Sequence, residues 1–203
     1  AIVNRKLGVM RISEGKVTAD IAAYRIDGEY KDFRRPETVL FTDDIAEDLR
    51  RRDFTMNAIA VSPGRGVADP YRGKEDIEKR LIRGIGDPGV RFEEDALRIL
   101  RGIRFAAQLG FEIEEETLRA MEDKAALLTF ISIERVREEF TKTVTAPYCG
   151  KGLALFRETG VLPYVLGETC TANAETSEGE RFECLIRGID QVGLAGGIDQ
   201  IGL

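Results

Sequence analysis

The chain contains no histidine. That removes histidine-based acid–base catalysis, Ser-His-Asp triads, His-Asp phosphohydrolase sites and histidine-ligated metals. Any chemistry must rest on carboxylates with hard cations, or on no metal. No apolar run reaches 18 residues, so no membrane span is expected. The pattern of a signal peptide is absent as well. Three scattered cysteines, Cys149, Cys170 and Cys184, match no zinc spacing. Their odd number fits a reducing cytoplasm better than a disulfide framework. Excess positive charge is missing too: the net charge is −6, which argues against a broad non-specific nucleic-acid surface while leaving room for local basic faces.

What remains is enough for one large domain or two small ones. The 203 residues are 43% hydrophobic, sufficient for a core. Residues 7–12 and 17–25 read as strands around the turn Ser13–Lys16. Residues 26–38, IDGEYKDFRRPET, read as a long polar loop, a length often tied to function. TVLFTDDIAEDLRRRDFTMNAIAVSP (38–63) then reads as strand, helix, a helix or break, and strand, with Thr42 or Asp43 as the helix cap. Residues 63–74, rich in glycine and proline, read as a loop. A second breaker cluster, GIGDPGV (84–90), marks a candidate domain boundary. Helical patterns follow over about 93–109, 114–127, 132–145 and 149–159. The expected class is α+β: a mixed N-terminal unit over 1–86, an all-α bundle over 87–167, and a tail or the start of a further domain over 168–203. The tail carries a short repeat, GIDQVGL and GIDQIGL. Two copies do not make a solenoid.

RFEEDALRILRGIRF (91–105) concentrates charge beside Leu97, Ile99, Leu100 and Ile103. On one continuous helix with Glu94 at zero, Arg98 falls at about 40°, Asp95 at about 100° and Arg101 at about −20°. A narrow face then carries Glu94, Asp95, Arg98 and Arg101 while the apolar side packs. Asp95 and Arg98, as i and i+3 neighbours, offer an acceptor beside a donor fork. Cytosine and adenine each present an amino donor next to a ring acceptor, so the pair could select C and A over U and G. Arg101 could hold a phosphate. A solvated face laced with i, i+3 salt bridges would produce the same pattern.

RRDFTMNAIA (51–60), DPYRGKEDI (69–77), RFEEDALRILRGIRFAAQLGF (91–111) and ISIERVREEF (131–140) occur in an order and spacing that resemble the class II tRNA nucleotidyltransferases and their bacterial poly(A) polymerase relatives. The resemblance covers roughly residues 7–167. It implies part of a polymerase-beta-like nucleotidyltransferase head followed by a helical neck. It also implies a template-independent enzyme that adds C and A to the tRNA 3′ end from CTP and ATP, with Mg2+ as cofactor and no membrane partner. A poly(A) polymerase using the same face for ATP, and a non-catalytic nucleotide- or RNA-binding protein, are the alternatives. By resemblance, Arg52 and Asp53 contact the nucleotide ribose and Asn57 the nucleotide. Glu94, Asp95 and Arg98 form the protein template for the base, with Arg101 near the triphosphate. Asp20 matches the third active-site carboxylate, catalytic and metal-holding, or is a solvent-side strand residue. Asp69 and Gly73 match a loop motif read as structural, and ERVREEF a neck motif read as mostly scaffold. DGEYKDFRRPE (27–37) resembles a flexible loop associated with addition of the final A, or is an ordinary charged loop. No Gly-Gly and Arg-Asp segment and no Asp-x-Asp precede Asp20 in this sequence. The chain is therefore expected to start downstream of the family's first motif and to be inactive by itself. Oligomeric state is left open.

Overall fold

A computed structural model of the chain describes residues 2–4, 6, 8–15, 17–28, 30 and 36–166. The GIDQ repeat, Cys170, Cys184 and most of the 31–37 stretch lie outside the described residues. The first strands, β1 (Ile2–Asn4), β2 (Val9–Glu14) and β3 (Val17–Ala22), form an antiparallel sheet in that order. The anticipated hairpin is β2–β3, with Gly15 at φ +58 in its turn, a left-handed conformation glycine adopts at no steric cost. The anticipated strand 17–25 does not run through. It breaks at Ala23, and β4 (Arg25–Asp27) pairs instead with β5 (Val39–Phe41) in a separate sheet.

Helix α1 (Ile45–Arg50) is capped by Asp44, one residue beyond the expected Thr42 or Asp43. Asp44 Oδ1 accepts from Ala46 N at 2.8 Å, while Thr42 Oγ1 accepts from Asp44 N at 3.1 Å. A 3-10 turn (Thr55–Asn57) leads to the hairpin β6 (Ala60–Ser62) and β7 (Gly66–Ala68), so the expected loop 63–74 contains a strand. Next come α2 (Gly73–Glu78) and β8 (Leu81–Ile82), which pairs in parallel with β9 (Glu112–Ile113).

The helical part holds α3 (Pro88–Glu94), α4 (Leu97–Leu109), α5 (Glu115–Lys124), a 3-10 segment (Ala125–Phe130), α6 (Ile133–Val144), α7 (Cys149–Glu158) and α8 (Leu162–Leu166). Asp87 caps α3 through Gly89 N at 2.8 Å, with Pro88 at the first helical position, where its missing N–H costs nothing. The single helix expected over 93–109 is two helices. Asp95 adopts φ −145 and ψ 100, and its Oδ1 accepts from Leu97 N at 3.2 Å. A short acid that bonds the backbone two residues on competes with helix continuation, and the chain restarts as a separate helix after it.

One core spans the sequence boundary at 86. Phe54 and Ile82 are buried with Phe92, Ile99, Leu100, Ile103, Met121, Val136 and Phe156. Helix α4 lies at its centre, packed on α6 and α7. Arg104 Nε donates to the buried Glu139 at 2.6 Å and so clasps α4 to α6. Thr55 Oγ1 donates to the buried Asp76 at 2.7 Å, which sets α2 against the 3-10 turn. A Cβ at Gly73 would lie 2.2 Å from the Thr55 carbonyl oxygen, a backbone atom. Gly73→Ala should therefore destabilise the fold by about 1–3 kcal/mol, as overpacking does. Urea denaturation checks this, and an unchanged midpoint is the contrary result.

Candidate nucleotide-binding cleft

The cleft is built around a buried carboxylate. Asp53 is 7% exposed and stands just before the 3-10 turn. Its Oδ1 accepts from Phe54 N and from Asn57 Nδ2, each at 2.9 Å. Its Oδ2 accepts from Arg101 Nε at 2.8 Å and pairs with Arg101 Nη2 at 2.6 Å. Burial works to push this carboxyl up, but the Arg101 charge and the hydrogen bonds from Asn57, Arg101 and Phe54 outweigh it and hold the group below the ordinary carboxylate range.

Arg98 is buried at the start of α4. Nη1 donates to Glu94 Oε2 at 2.6 Å and to the Arg91 carbonyl at 2.9 Å, and Nη2 donates to the Arg51 carbonyl at 2.8 Å. Helix α4 thereby holds the ends of α1 and α3, and the guanidinium plane is fixed before any ligand arrives. Asp95 does not bond Arg98 through its side chain. Its Oδ1 accepts from Leu97 N at the start of α4, and its Oδ2 accepts from Arg135 Nη2, on α6, at 3.2 Å. The continuous-helix geometry is thus replaced by a break that sets acceptor and donor at one helix start.

Arg52, Asp53, Asn57, Asp95, Arg98 and Arg101 line one cleft of about 410 Å³, joined by Leu97, Phe105 and Arg135. That size suits a small-molecule site. Four guanidinium groups against two carboxylates favour a polyanion. Phe105 forms part of the wall, edge-on to Phe54 at 6.0 Å and covered by Arg104, 4.0 Å from the ring centroid.

Glu94 lies in an adjoining pocket of about 210 Å³ with Arg91, Asp27 and Tyr30. Arg91 Nη2 is 2.5 Å from Glu94 Oε1, and Tyr30 Oη donates to Asp27 Oδ2 at 2.9 Å. Burial, then the Asp27 charge, pushes the Tyr30 phenol up. Of the anticipated loop 27–37, Asp27 and Tyr30 line this adjoining pocket and not the cleft itself.

Asp20 lines neither pocket. It lies on exposed β3, paired with Arg11 at 2.6 and 2.7 Å, and the hydrogen bond from Arg11 holds its carboxyl low. Among the described residues no group of three or more His, Cys, Asp or Glu side chains is placed to hold a metal ion. Asp69 bonds the start of α2 through Gly73 N and Lys74 N, a structural role as expected.

Arg135 and Phe105 were not read as site residues. Both lie inside quoted motifs, yet α6 comes within reach of Asp95 only after 40 residues of chain have folded back.

The family model for the poly A polymerase head domain matches residues 1–83, and that described as the probable RNA and SrmB-binding site of polymerase A matches residues 110–172. The CCA-adding enzyme of Geobacillus sp. strain WCH70 is 44% identical over 158 residues, covering 78% of this chain and 39% of that protein. The CCA-adding enzyme of Bacillus cytotoxicus is 45% identical over 168 residues, covering 81% and 42%. Among solved structures, the Bacillus stearothermophilus CCA-adding enzyme in complex with CTP superposes with a TM-score of 0.74 at 37% identity, over 81% of this chain and 40% of that one. The Thermotoga maritima CCA-adding enzyme complexed with tRNA reaches 0.72 at 26% identity, over 94% and 43%. The chain spans about two fifths of the length of the curated relatives it matches.

Since the folded pKa of Asp53 lies below the unfolded value of about 3.9, its contribution to stability is present above that value and lost as pH falls through the folded one. Asp53→Asn should cost about 1–2 kcal/mol at pH 7, below the figure for a fully buried pair because Arg101 is partly exposed. The gap between variant and wild type should narrow below about pH 4. Urea titrations from pH 7 downward check it; a gap that stays constant into strong acid is the contrary result.

Proposed function

The chain belongs to the family of class II tRNA nucleotidyltransferases and poly(A) polymerases, and on that premise we propose that it serves the addition of C and A to the tRNA 3′ end from CTP and ATP. In this reaction the RNA 3′-hydroxyl attacks the α-phosphate and pyrophosphate leaves. The observation that carries the proposal is the single cleft in which a fixed guanidinium, Arg98, and a carboxylate, Asp95, stand beside Asp53 and Arg101. Arg98 donates to the ring nitrogen of cytosine or adenine, and Asp95 accepts from the amino group. Uracil and guanine present a carbonyl where that amino group should be. Glu94 holds Arg98 in plane from behind. Asp53 and Asn57 face the ribose, and Arg52 and Arg101 neutralise phosphate charge. The partners are CTP, ATP and a tRNA end, and the reducing cytoplasm is the compartment that the cysteine pattern suits.

Mg2+ is the metal this chemistry calls for, with Asp20 as one carboxylate. The described residues do not fit a metal site: Asp20 is bound to Arg11, and no group of three or more His, Cys, Asp or Glu side chains among them is placed to hold an ion. On this reading, the described part of the molecule serves selection of the nucleotide. Among the described residues no helix is long and apolar enough to cross a membrane.

Equilibrium binding of CTP, ATP, UTP and GTP tests the reading. Arg98→Ala should reduce the preference for CTP and ATP by about 1–3 kcal/mol, the discrimination carried by a bidentate contact. A preference that survives this change removes the template role. Asp53→Ala should reduce the preference for ATP over dATP, because its carboxylate accepts from a sugar hydroxyl. If the ratio is unchanged while melting temperature falls, Asp53 serves the fold alone.

A further inference from the structure

We propose that Arg135 is a positioning residue for base selection, holding the Asp95 carboxylate across the cleft so that Oδ2 meets the amino group of cytosine or adenine. The inference rests on the reading of Asp95 and Arg98 as the base-selecting pair.

Asp95 sits at a break between two helices, where no helical hydrogen bonding fixes its side chain. Two contacts orient it. Oδ1 takes the Leu97 N–H at 3.2 Å, which anchors one oxygen to the start of α4. Oδ2 faces Arg135 Nη2 at 3.2 Å, with Oδ1 at 3.5 Å from the same nitrogen. Without Arg135, rotation of the carboxylate about its remaining contact would let the acceptor swing away from Arg98.

Arg135 is well supported for this task. It lies in the first turn of α6, beside Val136, which is buried in the core. One turn further on, Glu139 is bonded to Arg104 of α4. The two helices are therefore fixed against each other on the face that carries Arg135.

The contact is also unlike a pair made for stability alone. A structural arginine–carboxylate pair commonly uses two parallel N–H groups. Here one nitrogen approaches both oxygens at long range, while Nη1 is buried and has no hydrogen-bond partner among the described residues. An unsatisfied buried donor is a cost to folding. The long, one-armed contact leaves Oδ2 able to accept a second hydrogen, which a tight fork would hinder.

The test is equilibrium binding of all four nucleoside triphosphates to the full chain, with thermal unfolding measured in parallel. Arg135→Ala should weaken CTP and ATP binding roughly tenfold and leave UTP and GTP nearly unchanged, so that the preference falls by the same factor. Arg135→Lys, which keeps the charge on a flexible stem, should restore part of the preference. Arg137→Ala, an exposed change on the same helix, should have no effect. Equal losses for all four nucleotides would instead make Arg135 a phosphate contact and overturn the proposal, as would a folded Arg135→Ala variant with wild-type preference. If the alanine variant does not fold, Arg135→Gln decides by the same ratio. A wild-type chain without preference for CTP and ATP would overturn the base-selection reading itself, and this inference with it. A wild-type preference retained by the Arg135 variants would overturn this inference alone.

Discussion

The ion pair between Asp53 and Arg101 joins the two halves of the molecule. Asp53 belongs to the segment after α1, and Arg101 to the middle of α4, 48 residues on. The carboxylate can be buried because all its contacts are charged or donate N–H groups, including Asn57 and its own neighbour Phe54. Phe54 then enters the core against α4 and α5, with Gly102 making room: a Cβ there would meet the Phe54 ring at 2.9 Å. The same two adjacent residues thus supply a polar anchor at the cleft and an apolar anchor beneath it. Burying the charge without Arg101 would be strongly unfavourable, so the cleft's shape and the joint between the halves are one constraint.

The second constraint is the interruption at Asp95. A continuous helix would have directed Glu94 and Arg98 along one stripe and left Asp95 about 100° away from Glu94. The break turns Asp95 towards α6 and leaves Glu94 behind Arg98. The three charged groups then do different work. Glu94 fixes Arg98, Arg98 fixes the ends of α1 and α3, and Asp95 is held from the opposite wall.

Much of this was legible in the residues. The β2–β3 hairpin, α1, the breakers before α3 and helices α5 to α7 follow from period and punctuation, because each is stabilised by near neighbours. Arg52, Asp53, Asn57, Asp95, Arg98 and Arg101, candidates from the family resemblance and the charge pattern, line one cleft, while Glu94 lies in the adjoining pocket. What was missed depends on distant contacts. A two-residue strand pair such as β8–β9 carries no period to detect. The end of strand 17–25 is set by pairing with β5, not by a breaker at Ala23. The split of α4 from α3 comes from one aspartate whose side chain bonds Leu97 N, while the apolar spacing on both sides matches a continuous helix. Arg135 looked like one more charge on an amphipathic helix, since its partner is 40 positions away.

Arg98 and Asp95 differ in how far structure and selection can be separated. Arg98 bonds two backbone carbonyls and Glu94, so changing it disturbs α1, α3 and the cleft together. Asp95 bonds one backbone N–H and one arginine side chain, and its second oxygen is engaged only at 3.2 Å. In the proposed selecting pair the donor half is therefore built into the scaffold, while the acceptor half is held by fewer bonds. Cytosine and adenine present the same ring N=C–NH2 edge, so on the proposed reading their amino groups would occupy the same place relative to the ring-nitrogen contact. One donor and one acceptor in a single fixed relation would then serve both bases, and the bulk of the second ring of adenine would be met elsewhere in the cleft.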